Sequence, residues 1–155
     1  MKVALAVVCD YAEVRENLLT LVAAGITRLR RDALPAPLSV FVALQLEVAA
    51  GERPFPHEVT ARVVGPAGNE LATIAGGFQV ASTADFESDE SGVVSLPFDL
   101  RMVTAVEYGW YNIEITIDGG HRQSLRLKVT RPPTPAAPAS GGEGIRIASP
   151  DIKRH

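Results

Sequence analysis

The stretch of sequence that decides the fold is residues 108–130, YGWYNIEITIDGGHRQSLRLKVT. Apolar and polar side chains alternate on both sides of a central Asp-Gly-Gly-His, which is typical of two half-buried strands joined by a tight turn. The pattern predicts a β-hairpin whose inner face holds Tyr111, Ile113, Ile115, Ile117, Leu125, Leu127 and Val129. A three-residue loop, Gly119 to His121, would keep both apolar sets on one face and place Glu114 opposite Arg126 as an ion pair.

Strand patterns continue upstream of this hairpin. Residues 38–48 alternate with a period of two, and residues 59–64 and 71–75 flank a Gly-Pro-Ala-Gly-Asn turn signal as a second hairpin. Pro97 in a further strand favours a sheet edge, because proline cannot donate a backbone hydrogen bond. About eight short strands at regular spacing predict an all-β fold, an immunoglobulin-like antiparallel β-sandwich over residues 1–131.

The N-terminal region is less decisive. Residues 3–9 are an apolar run, typical of a strand buried on both faces, and they end in Cys9, the single cysteine. One cysteine cannot form an intrachain disulfide and suits a reducing compartment, so we expect a buried thiol in a cytoplasmic protein. By period alone, residues 10–31 fit a helical face and an extended chain equally well.

Charge and hydropathy narrow the classes of partner. The formal net charge is -3, and no clustered basic stripe of the kind that binds nucleic acid is evident in the sequence. No stretch approaches the roughly 20 consecutive apolar residues of a membrane-spanning helix. We therefore expect neither a nucleic acid nor a membrane as partner.

No catalytic or metal-binding motif is recognisable. The histidines, His57, His121 and His155, lie far apart without zinc-ligand spacing, so surface or turn positions are expected for them. No serine lies in a nucleophile elbow, and the glycine pairs lie in strand contexts and not in phosphate loops. We predict that the protein is not an enzyme and has no catalytic residue, metal or cofactor.

The densest acidic cluster is formed by Asp85, Glu87, Asp89 and Glu90. A helix-loop-helix calcium site needs glycine at the sixth position of its loop and glutamate at the twelfth. Counted from Asp85, those positions hold Glu90 and Leu96, so the pattern fails. A solvated connecting loop is the better interpretation.

Two aromatic residues are candidates for partner binding. Alternation places Tyr108 and Trp110 on the side of the hairpin opposite its inner face, so we expect both to be exposed. Exposed aromatic pairs can act as hot spots for a protein, or can bind a small ligand or glycan. The plainer interpretation is that Trp110 packs on Thr130 or covers a neighbouring loop.

The composition of the chain changes at Pro132, and residues 132–155 read PPTPAAPASGGEGIRIASPDIKRH. Prolines favour an extended linker, beyond which Ile145, Arg146 and Ile147 alternate like a short strand. Such a strand could add to an exposed sheet edge of its own domain, of a second copy or of another protein. The alternative is a disordered C-terminus without a partner. We predict a division into residues 1–131 and 132–155.

A family resemblance covers about residues 2–131. LAVVCDYA at residues 5–12, NLLTLVAAGIT at 17–27, LPAP at 34–37 and the final hairpin resemble an uncharacterised family of small bacterial all-β proteins, a domain of unknown function. The resemblance implies that residues 18–30 form a strand and not a helix, and it supplies no activity, ligand or catalytic residue. We expect a non-enzymatic interaction or assembly module that associates through its tail or a sheet edge. A β-sandwich that binds a small ligand or glycan is the alternative.

Overall fold

The structure is a computed structural model that describes residues 1–80 and 89–133. These residues form strands and no helix, so the described chain is all-β. The strands are β1 Lys2–Cys9, β2 Tyr11–Arg15, β3 Leu18–Val22, β4 Arg28–Arg30, β5 Ala36–Pro37, β6 Phe41–Val48, β7 His57–Val64, β8 Glu70–Phe78, β9 Gly92–Asp99, β10 Thr104–Ala105, β11 Gly109–Ile117 and β12 Gly120–Thr130. The estimate of about eight strands omitted the short ones.

Two sheets dominate the fold. One has the order β1-β6-β9 and the other β4-β12-β11-β7-β8, while β2 with β3 and β5 with β10 form two small sheets. The two dominant sheets are antiparallel except for β4, which pairs with β12 in parallel. The expectation of purely antiparallel pairing is therefore wrong at this edge. Pro97 lies in β9, an edge strand as its chemistry requires.

The apolar faces of the two dominant sheets share one core. Fully buried side chains come from the central strand of the smaller sheet and from three strands of the larger one: Val42, Leu44, Leu46, Val48, Val59, Ala61, Val63, Tyr111, Ile113, Ile115, Leu127. Burying each large apolar side chain contributes about 1.5–3 kcal/mol. The apolar side chains that recur at every second position of β6, β7 and β11 therefore hold the two sheets together.

Residues 10–31 contain no helix. β2 and β3 pair as a hairpin around Glu16 and Asn17, whose φ angles of 51° and 62° define a two-residue turn of the type that matches strand twist. After β3 the chain passes Gly25, at a φ of 93°, and continues into β4. The extended conformation implied by the family resemblance is confirmed, although two short strands replace a continuous one.

The apolar composition of β1 predicts burial on both faces, but the strand is only partly buried. β1 is an edge strand, and its burial is complete only at Val8 and Cys9. A sheet edge leaves part of the strand open to solvent, whatever its composition. The Cys9 thiol is fully buried, as the sequence predicts.

The final hairpin has a shorter loop than expected. Asp118 and Gly119, at φ angles of 49° and 73°, form a two-residue turn, and a bulge beside Ile115 and Thr116 keeps the two apolar sets on one face. Glu114 therefore lies opposite Ser124, so the expected Glu114–Arg126 pair is wrong. Instead, the guanidinium of Arg62 lies 3.1 Å from the Glu114 carboxylate.

Candidate interaction surfaces

One edge of the five-stranded sheet has no pairing strand among the described residues. β8 forms this edge, and its run from Leu71 to Phe78 contains neither a charged residue nor a proline. A bulge at Leu71 is confined to the start of the strand, and pairing with β7 is regular from Ala72 onward. Charges, prolines and bulges are the devices that keep an edge from pairing with another chain. Along most of its length β8 lacks all three.

An apolar groove of about 470 Å³ lies beside this edge. Leu71, Ala72 and Ile74 line it from β8. The opposite side is lined by the end of β9 and the segment that follows: Asp99, Met102, Val103, Thr104 and Val106. Met102 is 88% exposed and Val106 is 48% exposed. An exposed methionine next to an open strand edge is adaptable apolar surface that a partner can cover.

Trp110 faces outward, as alternation predicts, and is 44% exposed. The guanidinium carbon of Arg126 lies 4.3 Å from the indole centroid, and the Nζ of Lys128 lies 5.2 Å from it. Lys128, and not Thr130, is the cross-strand neighbour of Trp110, because the shorter turn shifts the register by two residues. Trp110 therefore packs beneath two cations.

Tyr108 is half-buried, and not exposed as expected, and its neighbours differ from those of Trp110. Its hydroxyl lies 3.2 Å from the carbonyl oxygen of Arg31 and 3.3 Å from that of Asp32, and it donates to this pair of acceptors. The Arg131 guanidinium carbon lies 5.0 Å from the ring centroid. Tyr108 thus ties the start of β11 to the segment after β4 and also lines a cavity of about 710 Å³ there.

The environment of His57 differs from the surface position that the sequence predicts. Its side chain is only 9% exposed, not at the surface as expected. Nδ1 lies 2.8 Å from Oδ2 of Asp118, and Nε2 lies 3.0 Å from the carbonyl oxygen of Glu52. Both neighbours are acceptors, so only the doubly protonated ring donates to both. The contact with Asp118 spans 61 positions of sequence, a separation at which no local pattern signals a contact.

His57 and Asp118 each stabilise the charged form of the other. Burial lowers the pKa of His57, but the hydrogen bonds to Asp118 and to the Glu52 carbonyl outweigh that effect, so the pKa lies above its ordinary value. The backbone N–H of Glu58 and the His57 ring both donate to Asp118 and hold the pKa of its carboxyl below the usual range. The pair anchors the start of β7 to the β11–β12 turn.

The cavity beside His57 is lined largely by proline, alanine and glycine residues. It measures about 640 Å³, and Pro56, Glu58, Ala75, Gly76, Gly77, Asp118 and Gly119 complete its wall. Both ring nitrogens of His57 are engaged, and the described residues of the wall carry no hydroxyl or thiol side chain.

Several predicted features lie outside the described residues. The structure does not describe six of the residues that the sequence analysis names: Asp85, Glu87, Ile145, Arg146, Ile147 and His155. The predictions for the tail therefore remain predictions. Asp89 and Glu90 are described and exposed. Among residues 1–80 and 89–133, no group of three or more His, Cys, Asp or Glu side chains could hold a metal ion. The same residues contain no helix long and apolar enough to cross a membrane.

Comparison with known proteins gives a family without an assigned role. No curated protein matches the sequence. The model of a family of unknown function, DUF6941, matches residues 4–130, from the third residue of β1 to the end of β12. Because the match spans most of the chain, the protein belongs to the DUF6941 family.

Proposed function

We propose that this protein is a non-enzymatic interaction module that binds an extended protein segment by strand addition at β8. The observation that carries the proposal is the uncharged, proline-free run from Leu71 to Phe78 beside an apolar groove. An incoming strand would form main-chain hydrogen bonds with this edge, each of which contributes about 0.5–1.5 kcal/mol net. Every second side chain of that strand would point toward Met102 and Val106.

The peptide around Ile145, Arg146 and Ile147 is the proposed occupant. Its alternation of apolar and polar residues matches a groove on one side of the added strand and solvent on the other. Pairing in the sheet places Thr130, at the end of β12, at the same end as Glu70, the first residue of β8. Three strand spacings, about 14 Å, separate β12 from β8.

The linker is long enough for this docking. Residues 132–144 in an extended, proline-rich conformation reach about 40 Å, nearly three times the lateral distance between the two strands. The peptide could therefore reach β8 of its own domain, and in a dimer it could equally reach β8 of a second copy. A cytoplasmic setting, which suits the single buried thiol, is part of the same proposal.

We also infer that the two dominant sheets form an immunoglobulin-like β-sandwich. Apart from β4, which adds in parallel to the β12 edge, their strand orders match the A-B-E and G-F-C-C′ sheets of that fold. The Tyr111 hydroxyl donates to the Glu107 carbonyl at 2.7 Å and accepts from the Glu107 N–H at 3.2 Å, which is the tyrosine corner of such domains. Because this fold serves many functions, the β8 edge and not the fold supports the proposed role.

Ligand or glycan binding at Tyr108 and Trp110 is the less favoured alternative. A sugar stacks on a free ring face, whereas Arg126 and Lys128 lie over Trp110 and Arg131 lies over Tyr108. Trp110 is the single tryptophan, so its emission reports directly on this site. A saturable change of emission on titration with oligosaccharides would favour the alternative over strand addition.

Hydrogen exchange of the full chain tests the proposal. The outward amides of an unpaired antiparallel edge exchange rapidly, whereas a docked strand protects them. We expect the β8 amides to exchange more slowly in the wild-type chain than in an Ile145→Ser/Ile147→Ser variant. Ile152→Ser, which changes an isoleucine beyond the proposed strand, serves as the matched control and should leave the protection unchanged.

Equal exchange of β8 in all three proteins would remove the tail as the occupant. If protection is present, its dependence on protein concentration separates the two arrangements. Protection that increases with concentration indicates docking on a second copy, while constant protection indicates docking on the same domain.

A further inference from the structure

The half of the five-stranded sheet farthest from β8 carries a cluster of cations on its outer face. Leu29 of β4 and Val129 of β12 are opposite each other and buried, so their neighbours along each strand point outward. Lys128 lies between Arg28 on one side and Trp110 on the other. We call the surface formed by Arg28, Arg30, Arg126, Lys128 and Trp110 the cationic face.

The four cations of this face form no ion pair with any carboxylate of residues 1–80 and 89–133. Two other arginines, Arg62 of β7 and Arg101 of the turn after β9, do form such pairs. Arg62 lies 2.8 Å from Glu70, and Arg101 lies 2.7 Å from Asp99. In a chain with a net charge of -3, four cations without described carboxylate partners on the adjacent strands β4 and β12 are a local excess of positive charge.

The arrangement is unfavourable for folding. Arg28 and Lys128 are direct partners in the parallel register, and like charges opposite each other destabilise a sheet. Positions that break such a local rule are typical of functional surfaces, because the missing compensation is supplied by a partner. The excess charge therefore indicates binding.

Trp110 holds part of this charge in place. Two cations lie over its ring, at 4.3 and 5.2 Å from the centroid, and this contact restricts the long side chains of Arg126 and Lys128 before any partner arrives. The indole keeps 44% of its surface exposed next to them. A partner can thus contact charge and aromatic surface together.

We propose that the cationic face binds an acidic peptide segment of a partner protein. The cations lie on two neighbouring strands about 5 Å apart, and Trp110 lies on the next strand, so the surface suits a few closely spaced carboxylates and is short for a phosphate backbone. This surface does not involve β8, so it would give the module a second partner.

Fluorescence titration of the full chain with a capped peptide, Asp-Phe-Glu-Ser-Asp-Glu, tests this proposal. The probe has the sequence of residues 85–90 and carries four carboxylates in six positions. We expect a saturable change in Trp110 emission that weakens as ionic strength rises, and no change with the peptide Asn-Phe-Gln-Ser-Asn-Gln. Arg28→Gln/Lys128→Gln should weaken binding roughly tenfold, since it removes half of the positive charge of the face.

The matched control is Lys2→Gln/Arg15→Gln, which removes the same charge from exposed positions outside the face. It should change the affinity less than about twofold. The face variant should unfold at the same or a higher denaturant concentration than the wild type, which separates lost binding from lost folding. Equal weakening by both variants, no response at low ionic strength, or tighter binding of a DNA or RNA oligonucleotide at the same residues would each overturn the proposal.

Discussion

The two edges of the five-stranded sheet differ in almost every property that controls strand pairing. β4 has three residues, two of which are arginines, whereas β8 has nine residues and an uncharged run from Leu71 to Phe78. A short charged edge offers little backbone to an incoming strand, and a long uncharged edge offers much. The same sheet is therefore closed at β4 and open at β8, which is why we place strand addition at β8 and charge recognition near β4.

The largest expected effect comes from the strands between the edges. Ile113 of β11 is fully buried, so Ile113→Ala should lower the free energy of unfolding by about 2–5 kcal/mol. Ile74 of β8 is only partly buried, and Ile74→Ala should cost clearly less. Urea denaturation of both variants measures the difference. Equal losses would mean that the β8 edge is as firmly anchored as the centre of the sheet.

The next effect concerns the openness of β8 itself. Thr73→Lys/Ala75→Lys places two charges on exposed positions of this edge and makes it resemble β4. We expect the β8 amides to lose any protection that depends on the tail, while the unfolding midpoint changes little. Thr73→Ser/Ala75→Ser, which adds no charge, is the control. Strand addition that survives the lysines would show that charge does not control this edge.

The sequence predicts what depends on local alternation and misses what depends on distant contacts. The inner faces of β6, β7 and β11 follow from a period of two, which a single strand displays by itself. The register of the final hairpin does not follow from alternation. A two-residue loop with a bulge and a three-residue loop without one both keep the apolar sets on one face. The structure contains the first of these, with Asp118 and Gly119 as the loop. Residues 10–31 were ambiguous because short strands and turns offer too few repeats of either period.

The features of the candidate surfaces also divide into those that local sequence predicts and those that depend on distant contacts. Alternation predicts that Trp110 is exposed, but the two β12 cations that lie over it follow from the hairpin register. No pattern near His57 signals its burial, because Asp118 and the Glu52 carbonyl meet it only in the folded chain. In contrast, once the edge position of β8 is known, its lack of charged residues and prolines predicts that the edge is open to pairing.

A pH effect should appear at the end of β8 that faces His57. His57 pairs with Phe78 in the β7–β8 register, and their ring centroids are 5.4 Å apart. Because the folded pKa of His57 is raised, its stabilising effect is complete below the unfolded pKa, about 6.5, and is lost as pH rises through the folded pKa. The free energy of unfolding should therefore decrease from pH 5.5 to pH 8.5.

Asp118→Asn tests this assignment, because it removes the carboxylate that supports the charged ring. The variant should be less stable than the wild type at pH 5.5 and should depend less on pH above that value. Asp118 itself, with its lowered pKa, contributes above its unfolded pKa of about 3.9, and the contribution is lost as pH falls through the folded value. An unchanged slope between pH 5.5 and 8.5 in the variant would assign the pH dependence to other groups.

The smallest effect is expected from opening the closed edge. Arg28→Thr/Arg30→Thr removes the charges of β4 but leaves a strand of three residues, which is too short for stable pairing with another chain. Its oligomeric state, measured by light scattering, should stay that of the wild type. The variant should also be slightly more stable, because Arg28 no longer faces Lys128. If it associates instead, charge alone closes β4, and the length of the strand is not what separates the two edges.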